Sequence, residues 1–192
     1  MPNVTWQEPQ ILLDLLAVNL FAELNGLTLP GARHIAVITP WFSNVELFLR
    51  PCPWHQQLTL GEVERNMGFR DALAEFSRRG WQVDVAVLNY GRNPSGLEKP
   101  LESFRTERLF LQRLLDTTSV RVFLVPDLHA KGVVTPLGII TGSTNITHSG
   151  LYAQSQNANY FAHGDAEYAG NRTQLLGRYE GLTAVEHIPR SR

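Results

Sequence analysis

The stretch from His129 to Asn145 reads HAKGVVTPLGIITGSTN, and the fold follows from how it is read. Alternate side chains of an extended strand leave the same face, so His129 and Lys131 project together. Gly142, Ser143, Thr144 and Asn145 end a neighbouring strand. A hairpin turn near Pro136–Gly138 brings the outer ends of the two strands side by side. That places an imidazole, an ammonium, a hydroxyl and a carboxamide together. Imidazole can act as nucleophile or as general acid and base near neutral pH. Lys131 is a point charge suited to phosphate, and Ser143 and Asn145 add neutral hydrogen bonds to its oxygens. Gly142 permits close approach of backbone to ligand.

Composition sharpens this reading. The chain has 17 basic residues, and only Lys99 and Lys131 are lysines. A sequence that otherwise uses arginine thus has lysine two residues after the histidine. His-x-Lys alone is commonly a solvated strand edge; the GSTN that follows turns the pair into a candidate site.

Outward from this stretch, helical and strand patterns alternate. Ile11, Leu12, Leu15, Leu16, Leu20 and Leu24 recur at helical spacing over residues 7–24, and Asn25-Gly26 ends that helix. Residues 34–39 (HIAVIT), 83–88 (VDVAVL) and 120–125 (VRVFLV) are short apolar runs of the kind found in buried strands. Helices are predicted over residues 59–79, with Thr59 as N-cap, Glu62 in capping-box position and Gly80 as the stop, and over residues 101–115. A loop at Pro94-Ser95-Gly96 separates strand from helix. A last strand covers residues 157–161, and a last helix residues 165–179. This order predicts an α/β fold, with a mixed, mostly parallel sheet flanked by helices on both faces.

The 192 residues suffice for one large core, and no repeat or linker divides them, so a single domain over residues 1–192 is expected. Hydrophobic content of 43% with 18% charged residues reads as globular. Formal net charge is −1, so any nucleic-acid contact must come from a local cleft or from two subunits combining their charge. The single cysteine, Cys52, rules out an intrachain disulfide and fits a reducing, cytoplasmic compartment. The apolar run near the N-terminus is broken by Asp14 and Asn19 and lacks a basic flank, so no signal or membrane span is expected. No clustered His/Cys pattern argues for zinc, and no cofactor is expected.

His129, Lys131, Gly142, Ser143 and Asn145 together resemble the HxKx4Dx6GSxN pattern of the phospholipase D superfamily. HIAVITPWFSN is similar to the family's first strand and following loop, VRVFLVPDLHAKGVV to the approach to the motif, and NITHSGL to the short helix after GSxN. The resemblance implies the phospholipase D-like fold and a phosphodiesterase that needs no metal. It implies that small single-motif members form homodimers pairing two motifs across a twofold axis. One histidine then attacks phosphorus, its partner protonates the leaving oxygen, and water resolves the phosphohistidine. His129, Lys131 and Asn145 would be catalytic, with Ser143 and Gly142 supporting the phosphate. Lys131 to Gly142 is one residue shorter than in the family, and the aspartate position falls on Thr135 or Pro136. That implies a tighter hairpin without the carboxylate. Family members often read NxEN downstream, where this chain has Gln156 before Asn157. A glutamine can hold the imidazole tautomer through a hydrogen bond but cannot stabilise the imidazolium by charge.

Three functional readings follow. The first is a homodimeric nuclease acting on DNA, the second a catalytically weak or inactive subunit that binds phosphate or DNA ends. The third is a phospholipid hydrolase or transphosphatidylase, which the lack of a basic amphipathic membrane face disfavours. More narrowly, the chain resembles small phospholipase D-like proteins that accompany bacterial 7-deazaguanine DNA modification and restriction clusters, which implies partner proteins of such a defence system. Outside the motif, Trp41 and Phe42 end the first strand, where packing is the commoner role and stacking on a ligand the alternative. Arg50 to His55 reads as a rim or a rigid surface loop. His148 is expected near the site in a capping or surface role. His34, His163 and His187 carry no pattern, and Arg172 and Arg178 read as a solvated helix face.

Overall fold

Apolar, β-branched runs form the centre of the molecule, as their composition predicts. The computed structural model describes residues 3–5, 10–47, 67–89, 101–153 and 157–188. The strands are β1 (Asn3–Thr5), β2 (His34–Ile38), β3 (Glu46–Leu47), β4 (Met67–Gly68), β5 (Gln82–Leu88), β6 (Arg121–Val125), β7 (Gly132–Val134), β8 (Gly138–Gly142) and β9 (Asn157–Ala162). Among the described residues the α-helices are α1 (Gln10–Leu24), α2 (Phe69–Arg78), α3 (Leu101–Thr117) and α4 (Tyr168–Leu176), with a π-helical turn at Ser149–Ala153. Seven strands form one sheet in the order β1-β9-β8-β7-β2-β5-β6, and β3 and β4 pair separately.

Strand alternation divides the core in two. Ile35, Val37, Val83, Val85, Val87, Val122, Val133 and Ile140 face the layer containing Leu12, Leu16 and Leu20 of α1, Leu73 and Phe76 of α2, and Leu111 and Leu114 of α3. The alternate residues Ala36, Ile38, Ala86, Leu88, Phe123, Val125, Val134 and Ile139 pack under Tyr168 and Leu175 of α4 and Tyr179 beyond it. Both faces are therefore covered, which is why the central strands read as unbroken apolar runs.

The α/β class and the mixed sheet agree with the sequence reading; the share of parallel pairing is smaller than expected. Only β2–β5 and β5–β6 are parallel, while β1–β9, β9–β8, β8–β7 and β7–β2 are antiparallel. The reason is connection length: β2, β5 and β6 are joined through helices, whereas the three residues between β7 and β8 allow only a hairpin. Of the helix predicted over residues 59–79, the described part begins at Phe69, because Met67–Gly68 pairs with Glu46–Leu47 as a strand. A Cβ on Gly68 would lie 2.5 Å from the Asn44 side chain, so a larger residue here would require Asn44 to shift. Its end is as predicted, with Gly80 at φ +78. Thr59, Glu62, the Arg50–His55 segment with Cys52, the Pro94–Gly96 loop and Gln156 lie outside the described residues.

Candidate active site

β6 lies at one edge of the sheet, and β7 is three strands away beyond β5 and β2. Residues 126–131 therefore cross the carboxyl ends of β5 and β2, the end of an open α/β sheet where ligands generally bind. The crossing opens with Asp127 at φ 51, which redirects the chain after Pro126. Leu128 is buried in the α4-side core and Ala130 packs against it, while His129 between them is exposed. His129 and Lys131 thus precede β7 instead of lying on it, and this corrects the strand placement.

Register supplies the second half of the site. Gly132 pairs with Thr141, so Lys131 sits beside Gly142. The Lys131 carbonyl accepts from the Thr141 hydroxyl at 2.9 Å and from Gly142 N–H at 3.3 Å. A Cβ on Gly132 would lie 2.8 Å from the Ile140 carbonyl oxygen, so glycine is needed at the mouth of this hairpin. Beyond Gly142, Ser143 is exposed, Thr144 buried and Asn145 half-buried. Ile146 then docks on the loop after β2: its N–H donates to the Thr39 hydroxyl at 3.2 Å, and Ser43 N–H donates to its carbonyl at 2.8 Å. HxK and GSTN are therefore held at one end of the sheet by β7, β8 and the loop after β2.

The side chains have distinct environments. Lys131 Nζ donates to the His129 carbonyl at 2.8 Å, which folds the ammonium back along the crossing segment. Burial pushes the Lys131 ammonium below the ordinary lysine range, and among the described residues no carboxylate pairs with it. A half-buried cation without a counter-charge is a site for an anion. Asn145 Oδ1 and Thr144 Oγ1 are shielded from solvent and have no hydrogen-bond partner among the described residues. Each such group costs about 1–3 kcal/mol, and so asks for an explanation. Phe42 is buried between Phe69 and Phe110, with ring centroids at 5.7 and 4.8 Å, so it packs as expected. His148 is exposed and stacks on Tyr152. Among the described residues no group of three His, Cys, Asp or Glu side chains could hold a metal ion.

Thr135 and Pro136, the two positions on which the absent aspartate falls, lie elsewhere. Thr135 is at the far tip of the β7–β8 hairpin, about 20 Å of extended chain from His129. It is 1% exposed. Its hydroxyl accepts from Asn19 Nδ2 at 2.9 Å and Gly138 N–H at 3.2 Å, and donates to the Gly138 carbonyl at 2.9 Å. Asn19 Oδ1 also accepts from Leu137 N–H at 3.1 Å, and the Tyr168 hydroxyl donates to the Thr135 carbonyl at 2.7 Å. The tip is gripped by α1 from one face and α4 from the other, without a carboxylate.

A second polar cluster, missed in the sequence, sits at the opposite end of the parallel strands from His129. Asp84 accepts from His34 Nε2 at 2.8 Å, Arg121 Nε and Nη2 at 2.7 and 2.8 Å, Gln82 Nε2 at 3.1 Å and the Tyr179 hydroxyl at 3.0 Å. Burial opposes ionisation of Asp84, but the hydrogen bonds from His34 and Arg121 outweigh it and hold the carboxyl well below the usual range.

No family model matches the chain, and no curated protein matches it in sequence. Its fold is similar to that of solved structures. Nuc, a phospholipase D family member from Salmonella typhimurium, is 14% identical with a TM-score of 0.54 over 89% of this chain and 88% of that one. NucT from Helicobacter pylori is 8% identical with a TM-score of 0.53, covering 96% of this chain and 99% of that one. A polyphosphate kinase from Porphyromonas gingivalis is 12% identical with a TM-score of 0.52, over 96% of this chain and 27% of that protein. Sheet order, covered faces and these likenesses agree: the chain has the phospholipase D-like fold.

Proposed function

We propose that this chain is a phospholipase D-type phosphodiesterase acting on nucleic acid, with His129 as nucleophile. The observation that carries the reading is Lys131: a half-buried ammonium without a carboxylate, bent back onto the His129 backbone and set beside Gly142. Such a pocket favours a phosphodiester. Lys131 would neutralise a phosphate oxygen, with Ser143 and Asn145 donating to the others and Gly142 letting the backbone close in. His129, exposed above it, attacks phosphorus and displaces the leaving oxygen, which takes its proton from the His129 of a second copy. Water then cleaves the phosphohistidine. Gln156 would orient the imidazole. The site residues, the homodimer and the cytoplasmic location belong to this proposal, as does a single domain. The resemblance to proteins of DNA modification clusters supports partner proteins of a restriction system.

Incubation with single- and double-stranded DNA in EDTA tests the reading. Cleavage that disappears in His129→Ala is the expected result. Binding without cleavage under every condition would favour the non-hydrolytic DNA-binding subunit, and headgroup release from vesicles the phospholipid hydrolase. Among the described residues no helix is long and apolar enough to cross a membrane.

A further inference from the structure

The segment after GSTN folds straight back on Asn145. Thr147 N–H donates to the Asn145 carbonyl at 2.9 Å, and Leu151 N–H to the Thr147 carbonyl at 3.0 Å. Gly150 presses so closely that a Cβ there would lie 2.3 Å from the Asn145 carbonyl oxygen. Gly150, at the start of the turn Ser149–Ala153, is therefore packed directly on the Asn145 backbone. On its outer side the His148 and Tyr152 rings stack with centroids 5.0 Å apart and planes at 32°. Tyr152 is 38% exposed, and its hydroxyl donates to the Glu46 carbonyl, which fixes the ring against β3.

An exposed, pre-oriented pair of flat rings is a surface that a nucleobase can extend by stacking. An acyl chain needs contiguous apolar area instead. Of the exposed large apolar side chains among the described residues, Tyr152 is the one on the site's own loop. Val18 lies on α1, Leu24 and Leu27 at and beyond its end, Leu109 on α3 and Leu182 after α4. We propose that His148 and Tyr152 form a base-stacking platform for single-stranded nucleic acid. It holds the base next to the phosphate that enters the Lys131–Asn145 pocket. In a duplex the bases are stacked on one another, so the platform selects strands whose bases are free.

This inference rests on the phosphodiesterase reading for its orientation, but its test is separate from cleavage. Fluorescence anisotropy compares a labelled oligothymidylate with an abasic strand of equal length, in the His129→Asn background so that the strand survives. The base-bearing strand should bind roughly tenfold more tightly, with Tyr152→Ala and His148→Ala each bringing the two strands to within about twofold. Tyr152→Phe, which keeps the ring, should retain the preference. If Tyr152→Ala does not fold, the same comparison in His148→Ala decides. Equal binding of both strands by the parent, or an undiminished preference in the alanine variants, overturns the proposal. Failure of the phosphodiesterase reading would appear instead as DNA that His129 does not cleave.

Discussion

Replacing Thr135 by aspartate puts a carboxylate at one of the two positions, Thr135 and Pro136, on which the aspartate of the family pattern falls, and the structure expects it to harm the protein. The Thr135 hydroxyl has neutral neighbours: it accepts from Asn19 and Gly138 N–H and donates to the Gly138 carbonyl 2.9 Å away. Thr135→Val keeps the shape and removes the hydroxyl, leaving buried Gly138 N–H without that acceptor; the loss should be about 2 kcal/mol. Thr135→Asp keeps two acceptor roles but sets an ionised carboxylate against a carbonyl, in a place 1% exposed. An uncompensated buried charge costs about 3–5 kcal/mol, a large part of a typical stability of about 5–15 kcal/mol. Its folded-state pKa should rise above the unfolded value of about 3.9, so the destabilisation grows as pH rises above that value. It should shrink again in acid, where the protonated carboxyl can donate to Gly138. Urea unfolding of wild type, Thr135→Val and Thr135→Asp at pH 5 and pH 8 reads both effects. A Thr135→Asp protein as stable as wild type, or with a deficit that does not change with pH, would refute this account of the hairpin tip.

Other perturbations give separable outcomes. Asp84→Asn should cost about 2–4 kcal/mol at neutral pH, discounted because its partner Arg121 is half exposed. Since the Asp84 carboxyl is held below its usual range, its contribution is present above the unfolded pKa and lost as pH falls, so chemical unfolding should show the gap to wild type narrowing in acid. Gly150→Ala forces its Cβ onto the Asn145 carbonyl and should cut hydrolysis of a small aryl phosphodiester by roughly 10²-fold through misplacement of the amide. Because burial lowers the Lys131 pKa, the alkaline fall in kcat/KM should begin below the normal lysine pKa of about 10.4, and Lys131→Met should abolish that limb.

Much of this arrangement is legible in the sequence, for identifiable reasons. Strands buried on both faces announce themselves as apolar runs, and 34–38, 82–88 and 121–125 fall within a residue of where the runs lie. The Pro136–Gly138 turn and the approach of Lys131 to Gly142 follow from hairpin geometry alone. Periodicity says nothing of strand direction, so the parallel share is smaller than the alternation of runs suggests. The start of α2 escapes a local reading because the pairing of Met67–Gly68 with Glu46–Leu47 is a long-range contact that capping signals do not contain. His129 lies in a crossing segment because β6 and β7 are not neighbours, which only the strand order reveals. Asn19 and Asp84 do leave a signal: each is a polar residue inside an otherwise apolar buried run. Only the structure says that one grips Thr135 and the other joins His34, Arg121 and Tyr179.

The central claim is that His129 takes the phosphoryl group. Rapid acid-free quenching during turnover of a phosphodiester, followed by peptide mass spectrometry, looks for it directly. An acid-labile phosphoryl adduct on the peptide containing His129, absent in His129→Ala, is the expected result. Turnover with no adduct at any time point, or an adduct on another residue, would contradict it.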